Sequence, residues 1–256
     1  MKKFNLEKNG IEIFNINPEI KKLVSKNIQK NISRKLNLNS NSSFNKISKK
    51  ISELDDMEFS NLFGIVSYRY LSKNITKKIN LYLKKFKLNR NIKKISLHKL
   101  SKSDLLTNKN LEINQYCVYY RIVRKNKNDI PFPHRDSDFW KAHKFNKNLI
   151  PKVTFKYTKR LKVWFPIFGC NKQNSLHFFN NSHLQKIKLN FKTVKGFKKP
   201  IIDKGFVNKN KKNIVMPIQN FNKNAVIFHD DCVHFTPINI TTNLRISCEF
   251  TAMIAN

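Results

Sequence analysis

The chain has 256 residues, 40% of them hydrophobic, with 21 Phe against 2 Trp, enough apolar material to bury a sizeable core and to exclude an intrinsically disordered chain. Its formal charge is +35, from 51 Lys and Arg against 16 Asp and Glu, and the basic residues are mostly Lys scattered along the whole length among Asn and Ile. That scatter reads as a solvated surface shaped by compositional bias and speaks against a dedicated nucleic-acid groove, while polyanion binding and capture of an anionic small molecule stay open. No run approaches the ~18 apolar residues of a membrane span, and the basic start is not followed by an apolar signal core. Cys117, Cys170, Cys232 and Cys248 show neither a Cys-x-x-Cys pair nor zinc spacing. The expectation is a cytoplasmic protein with reduced, buried thiols.

Residues 1–55 are polar and rich in Lys, Asn and Ser. Within them Asn17 as cap and Pro18 at the first helical position open a helix whose Ile20, Leu23, Val24 and Ile28 share one face. Residues 37–45 read as a loop. Helical spacing returns over residues 47–88, predicting one or two amphipathic helices packed on the outer face of a sheet. After Asn89 short β-prone runs follow one another at 92–98, 115–124, 153–157, 161–168, 175–179, 214–216, 225–228 and 244–253. Many short strands without helices between them predict a mainly β core with flanking helices (α+β), a double-sheet jelly roll or double-stranded β-helix of cupin type. Residues 1–90 then form a polar, helical segment packed on the core, and residues 91–256 the core itself. The stretches 99–114, 141–152 and 186–213 read as polar, Lys-rich loops.

The stretch Pro131-Phe-Pro-His134-Arg-Asp136-Ser-Asp138-Phe-Trp140 carries the chemistry. A His and an Asp two residues apart in an extended segment place imidazole and carboxylate on one side. That pair is half of a facial triad, two His and one carboxylate that grip Fe(II) and leave the opposite positions open. The remaining ligand falls in the region Ala225 to Phe250, at His234, with His229 five residues earlier as its rival. Arg245, 11 residues after His234, and Ser247 two residues further share one side of the closing strand. A planar Arg fork beside a hydroxyl suits the far carboxylate of a bound dicarboxylic acid.

Together, His134-x-Asp136, His234, and Arg245-x-Ser247 resemble the Fe(II)/2-oxoglutarate-dependent oxygenases, in particular the phytanoyl-CoA dioxygenase-like family. Val163-Trp164 followed by Asn174-Ser-Leu176 and Asn181-Ser182-His183 resembles that family's Trp-containing strand, Asn-Gly-x-Leu turn and Pro-Gly-Ser-His segment. Asn239 matches an Asn between the distal His and the Arg. The resemblance spans residues 115–253, with two departures: Ser175 stands where the turn usually has Gly, and Asn180-Asn181 replaces Pro-Gly.

The resemblance implies that His134, Asp136 and His234 bind Fe(II), that Arg245 and Ser247 hold 2-oxoglutarate, and that O2 is the co-reactant. It implies hydroxylation of an unactivated C–H bond of a small-molecule substrate, sugar-, lipid- or secondary-metabolite-like, with release of succinate and CO2. It also implies that Trp164 lies against the 2-oxoglutarate, that Trp140 borders the pocket and that Thr236 donates a hydrogen bond to the cosubstrate; both Trp residues otherwise read as core aromatics. Arg121 and Arg124 read as substrate anchors or as surface charges. Asp138 has the wrong spacing from His134, and His177 and His183 read as packing or capping residues. The competing functions are a nucleic-acid-acting oxygenase on the same scaffold and a non-catalytic jelly-roll binding protein.

Overall fold

The long C-terminal strand, Arg245–Ala255 (β11), is the spine of the fold. On one side it pairs with Lys159–Phe168 (β4); on the other it pairs with Val118–Val123 (β3) through its first half and with Lys94–Leu97 (β2) through its second, all antiparallel. β4 pairs in turn with Asn224–His229 (β9), and β9 with Ile11–Asn15 (β1), giving a six-stranded sheet in the order β1-β9-β4-β11-β2 with β3 also on β11. A second, three-stranded sheet runs His234–Phe235 (β10), His177–Phe179 (β5), Ile214–Val215 (β8). Leu189–Val194 (β6) and Phe197–Ile202 (β7) form a separate hairpin. The structure is a computed structural model and describes residues 4–64, 69–84, 94–99, 115–127, 132–138, 159–194 and 197–255.

Side chains alternate faces along a strand, and the two faces of the large sheet bury against different partners. Ile246, Cys248, Phe250, Ala252 and Ile254 of β11, Leu161, Val163 and Phe165 of β4, and Ala225 and Ile227 of β9 form one core together with apolar residues of the N-terminal helices. The opposite parity, Trp164 of β4 and Val226 and Phe228 of β9, packs with Phe178 of β5, Leu176, Ile218 and Ile11. That second core lies between the two sheets. It makes the molecule the double-sheet jelly roll expected from the spacing of the strands.

The helices form where local chemistry dictates. Pro18–Lys35 starts with Pro at its first turn and the Asn17 side chain accepting from the Glu19 and Ile20 amides, and it buries Val24, Ile28 and Ile32. The stretch 47–88 contains three described helices, against the one or two expected: Phe44–Glu53, Asp56–Phe63 and Lys73–Lys84. The first break is local. Leu54 is extended, and Asp55 with Glu58 forms a reciprocal capping box that begins a new helix.

Two stretches differ from the sequence reading. The polar N-terminal region contributes β1, a strand of the large sheet, held by five residue pairs with β9. Five residues, Ile-Glu-Ile-Phe-Asn, inside a Lys- and Asn-rich stretch are too short a signal for periodicity to find. Gly10, just before β1, has φ +73, and a Cβ there would stand 2.4 Å from Cys232 Sγ and from His183 Nδ1. Only glycine lets the chain enter the sheet this close to its neighbours. The stretch 186–213, read as a loop, instead holds the β6-β7 hairpin and a short helix, Lys204–Asn210, capped by Asp203. The runs 100–114 and 141–158, including the strand expected at 153–157, lie outside the described residues. No disulfide joins the four cysteines, of which Cys232 and Cys248 are buried as expected and Cys117 and Cys170 are only partly so, and no described helix is long and apolar enough to cross a membrane.

Because Ile11 is fully buried in the core between the sheets, Ile11→Ala is expected to cost about 2–5 kcal/mol in urea unfolding. A loss under about 0.5 kcal/mol, the size expected of a surface site, would show that β1 is dispensable.

Candidate active site

His134 and His234 face each other across an isolated antiparallel bridge that adds residue 134 to the edge of the small sheet. Each amide donates to the other's carbonyl, at 3.1 and 3.0 Å. Directly opposed residues project to the same face, and the two imidazole centroids lie 4.3 Å apart. Both Nδ1 atoms turn back on the chain: His134 Nδ1 lies 3.1 Å from the Phe132 carbonyl and His234 Nδ1 2.9 Å from the Cys232 carbonyl. A carbonyl only accepts, so each Nδ1 carries a proton, and Nε2 is the ring atom left to face a metal. Burial, reinforced by His234 nearby, pushes His134 down to about 3, so its imidazole is neutral at pH 7.

Asp136 completes the group. Its carboxylate, His134 and His234 offer ligand atoms that all lie within 4.8 Å of one another, with Asp136 Oδ2 3.8 Å from His234 Nε2. Oδ2 is buried and makes no hydrogen bond. Around it the chain is pinned by Ser137, whose amide donates to the Asp230 carbonyl and whose hydroxyl donates to Asp231, and by the Arg135–Asp138 pair at 2.7 Å. Asp138 therefore serves as a buried counter-ion one turn away from the site.

A pocket open to solvent, about 290 Å³ with the open space counted, adjoins this group and is lined by His134, His234, Arg121, Trp164, Leu176, Thr236, Arg245 and Glu249. Arg245, Ser247, Glu249 and Thr251 project from the inward parity of β11, opposite the apolar residues that meet the helices. Arg245 is 1% exposed, and its Nη1 donates to the Asn174 carbonyl at 2.9 Å. Asn174 and Asn239 form the clasp beneath it. The Asn174 amide donates to the Asn239 side chain at 3.0 Å and to the Gly169 carbonyl, while Asn239 donates to the Val123 and Asn243 carbonyls. The hydroxyls of Ser247 and Thr236 are buried without a hydrogen-bond partner. A buried hydroxyl normally finds one, so these two beside Arg245 fit a polar ligand that supplies acceptors.

The departures from the family pattern have local explanations. Asn181 takes φ +61, the left-handed region that Asn tolerates better than other non-glycine residues. Ser175 is not among the described residues with positive φ, so no glycine is required there. Ser182 accepts from the Val233 amide at 2.9 Å and so helps set the entry to β10.

The remaining candidates separate cleanly. His229 lies with Asp230 and Asp231, outside the group formed by His134, Asp136 and His234. His177 and His183 bond to backbone carbonyls, of Ser175 and Glu7. Arg121 reaches the cavity, whereas Arg124 is bound to Asp56 and the Leu54 carbonyl and lies over the Phe59 ring at 4.4 Å. Trp164 is buried on the cavity wall. Trp140 lies outside the described residues.

Sequence reasoning missed an ionic cluster on the same wall. Glu249 accepts from Tyr119 at 2.7 Å, from Arg121 Nε at 2.6 Å and from Lys162 Nζ at 2.7 Å. Lys162, only 5% exposed, also stands 3.8 Å from Asp136 Oδ2. Burial alone would raise Glu249, but Arg121 and Lys162 hold it well below the usual carboxylate range. Burial likewise opposes the charge on Lys162, and Asp136 and Glu249 outweigh it, holding the ammonium well above its ordinary value. The available signal was parity. Lys162 is two residues before Trp164 and Glu249 two after Ser247, both on the inward side of strands otherwise rich in apolar residues.

No family model matches the chain, and no curated protein sequence matches it. Solved structures do resemble it. The chain is similar to EctD from S. alaskensis in its apoform, at 10% identity and a TM-score of 0.49, over 97% of this chain and 74% of that one. It is similar to ThoJ, a non-heme monooxygenase, at 10% identity and a TM-score of 0.48, over 98% of this chain and 76% of that one. Over 53% of its length it is similar to SnoN, a non-heme alpha ketoglutarate dependent epimerase from nogalamycin biosynthesis, at 14% identity and a TM-score of 0.33, covering 44% of that chain. Likeness this distant carries no information about the site, and the fold stands on the strand pairing described above.

Proposed function

We propose that this protein is an Fe(II)- and 2-oxoglutarate-dependent oxygenase that hydroxylates an unactivated C–H bond of a small metabolite, with release of succinate and CO2. The observation that carries the reading is the pair of imidazoles whose Nδ1 atoms are tied to backbone carbonyls, beside a buried carboxylate oxygen without a hydrogen bond. Two nitrogen lone pairs and one carboxylate on one face are the donor set of a non-heme Fe(II) centre.

His134, Asp136 and His234 hold the ion. Arg245 and Ser247 bind the far carboxylate of 2-oxoglutarate, with Thr236 as a further donor and Trp164 and Leu176 as the apolar wall against its methylenes. When bound, Fe(II) and 2-oxoglutarate supply the oxygen activation and the two electrons that the hydroxylation needs. The chain itself orients the cosubstrate by a buried fork.

Anaerobic titration of the metal-free protein with Fe(II) and then 2-oxoglutarate is expected to produce the weak visible charge-transfer band of the chelate, absent in His134→Ala. Well-folded wild-type protein without the band would refute the assignment.

A further inference from the structure

Two buried carboxylates, Asp136 and Glu249, approach one cavity wall, and the Lys162 ammonium stands between them, 3.8 Å from Asp136 Oδ2 and 2.7 Å from Glu249 Oε1. Only Asp136 belongs with His134 and His234 in the group of converging ligand atoms. Glu249 lines the same cavity, yet its two oxygens are taken up by Tyr119, Arg121 and Lys162. A released carboxylate next to a divalent cation in so buried a place is strongly attracted to it. It would close a position that an open-faced centre needs.

We propose that Lys162 is a positioning residue that sets the charge of the metal centre and keeps Glu249 out of its coordination sphere. This rests on reading His134, Asp136 and His234 as the metal ligands. The charges are balanced before any ion arrives: Lys162 and Arg121 are cations, Asp136 and Glu249 anions. Removing the Lys162 charge leaves an excess negative charge beside the ion and leaves Glu249 Oε1 held by the neutral Tyr119 hydroxyl in place of an ammonium. Removing the Glu249 charge leaves an excess positive one. The two substitutions therefore act on metal affinity in opposite directions, whereas a residue that merely supports the fold weakens binding whichever partner is lost.

The test is titration of the full chain with Co(II) alone, read by calorimetry and by the visible spectrum of the bound ion. Lys162→Met is expected to bind Co(II) about tenfold more tightly, with an altered spectrum, and Glu249→Gln about tenfold more weakly. The double variant Lys162→Met/Glu249→Gln is expected to recover both the wild-type spectrum and an affinity within about threefold of wild type. Shifts of both single variants in the same direction, or an unchanged Lys162→Met spectrum, would overturn the proposal. Should Lys162→Met fail to fold, the double variant decides against Glu249→Gln: tighter binding in the double supports the proposal, and equal or weaker binding overturns it. Wild-type protein that binds no Co(II) would instead remove the metal-centre reading itself.

Discussion

Asp136→Ala is expected to abolish substrate-dependent succinate release and to weaken Fe(II) binding by more than about 100-fold. Loss of an outer-shell partner of a metal ligand already costs about 10–100-fold in affinity or activity, and a direct ligand contributes more. The side chain is well suited to a clean result. Its Oδ2 makes no hydrogen bond, and its nearest cation, Lys162, keeps Glu249 at 2.7 Å when Asp136 is gone. The metal-free variant should therefore unfold within a few degrees of wild type, so that lost activity reports the site and not the fold. His134→Ala and His234→Ala should behave alike. His229→Ala, five residues from His234 and outside the converging group, should retain both metal binding and turnover. Full activity in Asp136→Ala, or loss of metal in His229→Ala alone, would reverse the ligand assignment.

Arg245→Gln is expected to raise the 2-oxoglutarate concentration needed for half-maximal turnover by about 10–100-fold, the equivalent of a charged hydrogen bond worth about 1.5–3 kcal/mol. Fe(II) affinity measured without 2-oxoglutarate should stay within about threefold of wild type, since Arg245 takes no part in the converging ligand group. Ser247→Ala should show the same pattern at a smaller magnitude. Arg245→Lys should recover little of it, because a single ammonium cannot reproduce the planar fork. The glutamine retains an amide that can donate to the Asn174 carbonyl, the partner of Arg245 Nη1 at 2.9 Å. A parallel fall in Fe(II) and 2-oxoglutarate binding would mean that the substitution had collapsed the clasp around Asn174 and Asn239 and not a cosubstrate contact.

Part of the candidate site was legible because it is written in short-range spacing. Arg245 and Ser247 are two residues apart on extended chain, and backbone geometry alone puts them on one side; the extended segment expected through His134 and Asp136 instead turns helical at 136–138, and the carboxylate meets the two histidines from the start of that turn. The helix start at Asn17-Pro18 was legible for the same reason, since a cap and a fixed φ act within one turn. The hairpin within 186–213 and the five-residue β1 were not, because a short strand gains its stability from its partner and not from its own periodicity. The break at Leu54 was also hidden in a long helical pattern, although the capping box of Asp55 and Glu58 was there to be read.

The amino-acid sequence by itself determined the class of the core, a β jelly roll with helices packed on one face, and the residue types of the donor set. The first follows from alternation along single segments, the second from the spacing of residue types. Only the tertiary structure decided which side chains meet. It set His234 opposite His134 and left His229 aside. It joined Tyr119, Arg121 and Lys162 around Glu249, as much as 130 positions away in the chain, and brought Lys162 up to Asp136. Such meetings depend on the register between strands distant in sequence, where a slip of one residue turns every inward side chain outward. No local pattern encodes that register; it is fixed by the joint burial of both faces of the sheet.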